Sequence, residues 1–450
     1  MVVADADEFR RLPGAVAVHR AGLARMLGDV AATMAHARRA LDLIGPDDHV
    51  GRGAAAALLG LAYWTQGDLT SAHRWYAEGM ASLQKAGYLS DAVGCAMAVA
   101  DIRLAQGRLR EAMSTYEWGL QIATGQGPVP LRGAADMHVG ISERHADRNE
   151  LDAAMTHLVT AGELGEHAGL PRNRFRSRVA MARLRQAAGD LSGAVDLLDE
   201  AVRLYTSDFF PETQPVPAVR ARVWLAQGRT NDALAWAQEQ GLSIADDLSY
   251  LREFEHITLA RALLAQHPIG RSLHEATQLL ERLLPAAEAG ARAGSVIEIL
   301  VLAALAHQAR GDIPAAVAAL HRAVALAEPE GWVRVFVDEG PPMASLLRVV
   351  AKQGIAPSRV RRLLAAVENA VGSTSVDQDL IEPLSERELD VLRLLGTDLD
   401  GPDIARHLGV SLHTVRSHTK RIYTKLGVNN RRAAVRRAEQ LNLMSPTRNR

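Results

Sequence analysis

The sequence predicts an all-α protein: a long stack of helix hairpins followed by a small, separate helical domain. Three observations predict it. The 450-residue chain is rich in Ala and Leu and poor in aromatics, at 4%, which favours helix over strand. Its body repeats with a period near 40 residues. Its end is basic on an otherwise acidic chain: residues 384–450 hold 13 Lys/Arg against 7 Asp/Glu, a net of +6, whereas the whole chain stands at −1. A length of 450 residues suits two or three domains.

The repeat is marked by a Gly followed five or six places later by an Ala. "QGDLTSA" ends at Ala72, "QGRLREA" at Ala112, "RNELDAA" at Ala154, "AGDLSGA" at Ala194, "QGRTNDA" at Ala233, "GRSLHEA" at Ala276 and "RGDIPAA" at Ala316. Successive spacings are 40, 42, 40, 39, 43 and 40, and a weaker copy, "LGDVAAT", starts at Gly28. A helix runs into the Gly, which takes the left-handed conformation after a helix end. Asn149 replaces it once, as the residue that tolerates that conformation best after Gly. The next helix starts at once, and its Ala permits close approach of a partner. Ala194, Leu197, Leu198, Ala201, Val202 and Leu204 then form one wide apolar face. A single hairpin cannot bury such a face. About eight stacked ones make a continuous core, a TPR-like α-solenoid.

The repeats occupy residues 1–330. "GWVRVFVDEGPPMASLLRVV" follows, with the densest aromatic and β-branched cluster of the chain. It reads as helix capping the stack and ending before Gly340, with further helices at 344–353 and 357–370. Residues 331–371 are thus assigned to capping helices. "GSTSVDQDLIEP", 372–383, is small, polar and aperiodic, and reads as a flexible linker.

The terminal domain, 384–450, opens on "LSERELDVLRLL". Ser385 with Glu388 is a capping box, and Leu389, Leu392 and Leu395 form the inner face. "GPDIARHL" is a short second helix, with Ile404, Ala405 and Leu408 inward. Gly409 makes a tight turn, Val410 plugs it and Ser411 caps a third helix. Leu412, Val415, Thr419, Ile422 and Leu426 face inward on that helix. His413, Arg416, Ser417, Lys420, Arg421 and Thr424 face outward, and Gly427 stops it. A fourth helix carries Ala434, Val435, Ala438 and Leu441 on one face. Two helices joined by a three-residue Gly turn, with a small Ala four residues earlier, make a helix-turn-helix over 401–420. From Ala405 to Arg437 there are nine Lys/Arg and no acid, the footprint of phosphate binding. The expected partner is double-stranded DNA. The candidate DNA-binding residues are Ser411, His413, Thr414, Arg416, Ser417, His418, Lys420, Arg421, Lys425 and Arg431.

These residues carry a resemblance. Residues 384–444 closely resemble the LuxR-type helix-turn-helix domain through "LSERELDVLRLL", "IARHLGVSLHTVRSHTKRIYTKLGV" and "NRRAAV". The repeats with "EGWVRVFVDEG" resemble the C-terminal half of the large MalT-like regulators of the LuxR family. The resemblance implies that Arg416, Ser417 and Lys420 face base edges, while Thr414, His418 and Arg421 lie near phosphates. It implies that the fourth helix pairs two domains on a dyad-symmetric site, a homodimer. It also implies regulation of transcription, with RNA polymerase as a partner and activation as the expected outcome. The family's nucleotide-binding domain is not matched, because no G-x-x-x-x-G-K-[ST] occurs here. The alternative is the DNA-binding half of a split regulator whose NTPase is another chain. No receiver-type βα alternation is present either.

Other classes fare less well. The lone Cys95 rules out an intrachain disulfide and reads as a small core residue. No H-E-x-x-H, G-x-S-x-G or G-x-G-x-x-G occurs, so neither enzyme, cofactor nor metal site is expected. His407, His413 and His418 contact phosphate or pack rather than hold metal, and the Trp residues read as packing anchors. No apolar run reaches the ~20 residues of a membrane span, so a cytoplasmic protein without membrane contact is expected. The solenoid surface fits a small-molecule inducer, a protein partner or a plain scaffold. The helix-turn-helix could instead dock on transcription machinery in an adaptor.

Overall fold

In the computed structural model the described residues are 6–206, 210–266, 270–352, 357–378, 385–397, 399–426, 428 and 430–440. Among them the chain forms twenty-three α-helices and no strand. It divides into two compact units, Met1–Val367 and Glu368–Arg450.

The first unit is the solenoid. Its hairpins are α1 (Ala6–Met26) with α2 (Val30–Leu43), α3 (His49–Gln66) with α4 (Leu69–Lys85), α5 (Leu89–Ala105) with α6 (Leu109–Thr124), and α7 (Ala134–Asp147) with α8 (Leu151–Leu164). Four more follow: α9 (Asn173–Ala187) with α10 (Leu191–Leu204), α11 (Val216–Ala226) with α12 (Thr230–Glu239), α13 (Glu253–Gln266) with α14 (Arg271–Ala289), and α15 (Ala293–Ala309) with α16 (Ile313–Ala327). The seven repeat alanines all fall on the second helix of a hairpin, and all seven are fully buried. Thr33 holds the same place in α2, also fully buried, with its hydroxyl donating to Asp29 O. Where the repeat reads Gly-Asp, the Asp caps the second helix: Asp68, Asp190 and Asp312 each accept from a backbone N–H three residues on. On α10, Ala194, Leu198 and Ala201 are buried but Val202 is 39% exposed, so the apolar face is narrower than its composition suggests. Cys95 is a buried core residue, and burial pushes its thiol up to about 12.

First helices pack on neighbouring first helices, as α1 on α3, α5 on α7, α7 on α9, α11 on α13 and α13 on α15. They therefore line the concave side. That lining is charged and internally paired. Arg176 reaches Glu143 at 3.1 Å and Asp101 at 3.6 Å, and Tyr116 donates to Asp101 at 2.6 Å. Further on, Glu298 holds Arg222 at 2.7 Å and Arg261 at 2.9 Å.

The superhelix turns tightly enough to meet itself. Trp64 Nε1 donates to the Tyr250 hydroxyl, 186 residues on. The turn at Gly107 abuts the start of α15, where a Cβ on Gly107 would stand 2.8 Å from Ala293 Cβ. The Arg334 guanidinium reaches Asn149 Oδ1, 185 residues back. Three successive repeat turns thus dock the layer one superhelical turn later, and that turn takes between four and five hairpins. Here Gly and Asn serve twice, allowing positive φ (+79° and +64°) and close approach.

The aromatic cluster after the repeats belongs to this seam. Expected as a helical cap, it contains only a short helix, α17 (Arg334–Val337). Its residues turn back onto the earlier layer. Val333 N donates to Asp147 O at 3.0 Å, Trp332 Nε1 donates to Gly107 O at 3.2 Å, and Glu330 accepts from Arg110 N at the start of α6. Phe336 is fully buried. Then come α18 (Gly340–Lys352) and α19 (Pro357–Gln378). The Pro pair expected to precede α18 lies in its first turn, where Pro is tolerated. The linker expected at 372–383 is corrected in part: residues 372–378 continue α19. Only Gly372 is a strong breaker there, and Ser and Thr cost a few tenths of a kcal/mol each in a helix. Residues 379–383 lie outside the described residues.

Candidate nucleic-acid interface

The terminal unit contains α20 (Glu386–Leu395), α21 (Gly401–Leu408), α22 (Leu412–Leu426) and α23 (Arg431–Gln440). Its core gathers Val391, Leu392, Leu395, Ile404, Ala405, Val415, Ile422, Ala434 and Ala438. Val391 fills the place expected of Leu389, which is only half-buried. The capping box forms in both directions, with Glu388 N donating to Ser385 Oγ and Ser385 N to Glu388 Oε2. Asp400 caps α21 through Asp403 N at 2.8 Å.

The turn between α21 and α22 follows from its sequence. Gly409 takes φ +64°, and Val410 N returns to Ala405 O at 3.0 Å. Ser411 Oγ accepts from Thr414 N at 3.1 Å, capping α22. Val415 and Ile422 are buried beneath, which fixes the opposite face outward. On that face His413, Arg416, Ser417, Lys420 and Arg421 are exposed, with Thr414 and His418 half-buried beside them. Thr419 is only half-buried and turns its hydroxyl back to Val415 O. His418 Nδ1 is enclosed without a hydrogen-bond partner. Leu426, Thr424 and Arg432 have side chains outside the described residues, as do Gly427 and Leu441 altogether.

Two of the ten candidates have a different place. The Lys425 ammonium is 2.9 Å from Glu388 Oε2, a carboxylate whose side chain is 3% exposed. Burial would raise the Glu388 pKa, but the Ser385 N–H and Lys425 outweigh it and hold it below its ordinary value. Arg431 donates to Leu395 O at 2.8 Å and Thr397 O at 2.5 Å, where α20 ends. Each has an intramolecular acceptor that a charge count does not register, and so serves the fold in this structure. The sequence signals for them are the capping-box acid, free to accept a second donor, and the orphan carbonyls of a helix end. Two residues of this kind were not anticipated: Arg406 pairs with Asp403, and Arg387 reaches Leu408 O.

An apolar-backed helix with a basic, hydrogen-bonding outer face, set on a second helix by a tight turn, defines a helix-turn-helix regulatory protein. Residues 382–438 match the family of bacterial regulatory proteins called the luxR family. Residues 14–353 match the MalT-like TPR region, more than half of the chain, so the chain belongs to the MalT-like family. It is similar to the HTH-type transcriptional regulator MalT of Serratia proteamaculans, 25% identical over 295 residues, covering 60% of this chain and 32% of that protein. The regulator of the same name from Klebsiella pneumoniae is 26% identical over 298 residues, with the same coverage. The chain spans about a third of the length of the relatives it matches. Among solved structures, a Rap protein complexed with competence and sporulation factor covers 83% of this chain and 89% of its own, at 12% identity and a TM-score of 0.44. The chain thus joins a MalT-like TPR region to a luxR-type helix-turn-helix domain. Among the described residues no helix is long and apolar enough to cross a membrane, and no group of three or more His, Cys, Asp or Glu is placed to hold a metal ion.

Proposed function

We propose that this protein binds a pseudo-palindromic promoter site as a dimer and activates transcription, with the solenoid deciding when it binds. One observation carries the reading. The outer face of α22 offers Arg416, Ser417, Lys420 and Arg421 to solvent in a stretch, Ala405 to Arg437, that holds no acid. On this reading Arg416 and Lys420 read purine edges in the major groove, with Ser417 between them. Thr414, His418 and Arg421 flank them as phosphate contacts. His413 and Ser411 lie at the N-terminal end of α22, which is itself an anion-attracting feature. The last helix supplies the pairing of two terminal domains, and RNA polymerase is the partner through which activation proceeds.

The inducer site is assigned to the concave lining of the solenoid. Charged side chains from successive first helices meet there, so a polar ligand or peptide would exchange its own groups for existing ion pairs. The full chain, offered a random pool of duplex DNA, is expected to enrich a two-fold-symmetric motif. Arg416→Ala should weaken binding to that motif by about 1–3 kcal/mol and relax one base position. No enrichment, together with no retardation of any duplex at low salt, would remove the reading.

A further inference from the structure

α1 places its residues unusually for a helix of this stack. α1 seats itself on α2 and α3 through small residues: Gly14, Ala17, Ala21 and Ala24 are the buried ones. Its large apolar residues point to solvent. Phe9 is 50% exposed, Leu12 52%, Val16 39%, Leu23 58%, Met26 73% and Leu27 76%. At 3.6 residues per turn those residues fall within roughly 100° of arc on the far side of the helix. Their spacing, 3, 4, 7, 3 and 1, is the heptad seam of a helix pair, with His19 in the one missing place. Together the exposed parts of these six side chains make an apolar patch on the order of 600 Å². That is at or above the largest apolar patch of an ordinary monomer, roughly 300–600 Å².

We propose that this face of α1 is a self-association surface, and that its occupant is α1 of a second copy of this chain, laid antiparallel across a two-fold axis. The stripe is self-complementary under reversal. Pairing positions symmetrically about the centre of the stripe, between Ala17 and Val18, sets Phe9 against Met26 and Leu12 against Leu23. Val16 meets His19 beside the axis. A parallel pairing would instead bring His19 onto His19. Antiparallel helices also set opposite ends of their dipoles side by side. Two such patches bury on the order of 1,200 Å², at the lower edge of a stable specific interface. An isologous contact of this kind closes at two copies and does not propagate. The proposal stands apart from the DNA-binding reading and uses the opposite end of the chain.

The full-length chain at tens of micromolar should show twice its 48.5 kDa mass by light scattering. Leu12→Glu combined with Leu23→Glu should return it to the single mass and weaken association at least a hundredfold. Helicity should stay unchanged, because both side chains are more than half exposed in the single chain. The Leu12→Cys, Leu23→Cys double variant should oxidise to a covalent dimer. Within one chain these positions stand about 16 Å apart along the helix, beyond the ~7 Å reach of a disulfide. Leu12→Cys alone should not cross-link, since two such residues are offset by the same span. A single-mass wild type overturns the proposal. So does a dimer indifferent to the two glutamates, cross-linking by Leu12→Cys alone, or protection of the stripe only in the presence of a different protein.

Discussion

If successive superhelical layers dock through repeat turns, an added methyl group at a docked turn must cost more than the same methyl at a free one. Gly107 and Gly311 allow the comparison. Both end the first helix of a hairpin, at φ +79° and +78°. Alanine in that conformation costs about 1–2 kcal/mol at either place. At Gly311 a Cβ meets nothing within 4 Å, so the cost ends there. At Gly107 it would stand 2.8 Å from Ala293 Cβ and 3.1 Å from the backbone of Ala293 and Gly294. None of these atoms is the end of a flexible side chain, so the layer itself must shift. Overpacking of that kind costs about 1–3 kcal/mol. It also displaces the Trp332 Nε1 hydrogen bond to Gly107 O, a further loss of about 1 kcal/mol. Gly107→Ala should therefore exceed Gly311→Ala by about 2–4 kcal/mol. A repeat array can open locally, so hydrogen exchange in the first turn of α15 is the direct assay. Exchange there should accelerate roughly 30- to 700-fold relative to the Gly311→Ala protein. Equal exchange in the two variants, within a factor of two, would refute the layer contact.

The remaining predictions concern the terminal domain and one turn. Arg431→Ala should lower the melting midpoint by removing two donors to the end of α20, a loss of about 1–3 kcal/mol, whereas Arg416→Ala should leave it unchanged; calorimetry separates them. The Glu388 pKa is depressed from 4.5 in the folded state. Its contribution is therefore present above that value and lost as pH falls through the folded pKa. An acid melt of the wild type should show a loss below pH 4.5 that Glu388→Gln lacks. Asn149→Gly should cost less than Asn149→Val, since valine is disfavoured at φ +64° and also removes the acceptor of Arg334.

Much of this was legible in the sequence for a physical reason. A period near 40 with a Gly-to-Ala mark dictates where each hairpin turns and which face is buried, and the seven alanines lie where that logic puts them. The helix-turn-helix was legible because its cap, turn and inner face are local. What was not legible is non-local. The return of the chain on itself joins residues about 185 positions apart, and no single repeat encodes superhelical pitch. That is why "GWVRVFV" read as an end cap, although its aromatic and branched residues pack a seam in the interior of the stack. The missed end of α19 is a different failure: weak helix formers were read as a break when nothing forced one.

The terminal domain shows how far a count of charges can mislead. Nine cations without an acid between Ala405 and Arg437 suggest nine phosphate contacts. At about 0.9 counterions released per phosphate, they would give a logarithmic salt slope near −8 for each domain. The geometry divides them differently. Lys425 neutralises Glu388, Arg431 closes the end of α20 and Arg406 sits against Asp403. Lys425 and Arg431 serve the fold, whereas Arg406, 79% exposed, makes only a surface pair. Arg416, Lys420 and Arg421 are the exposed cations of α22. The α22 face should therefore contribute a slope near −3 per domain, with sequence preference resting on few side chains.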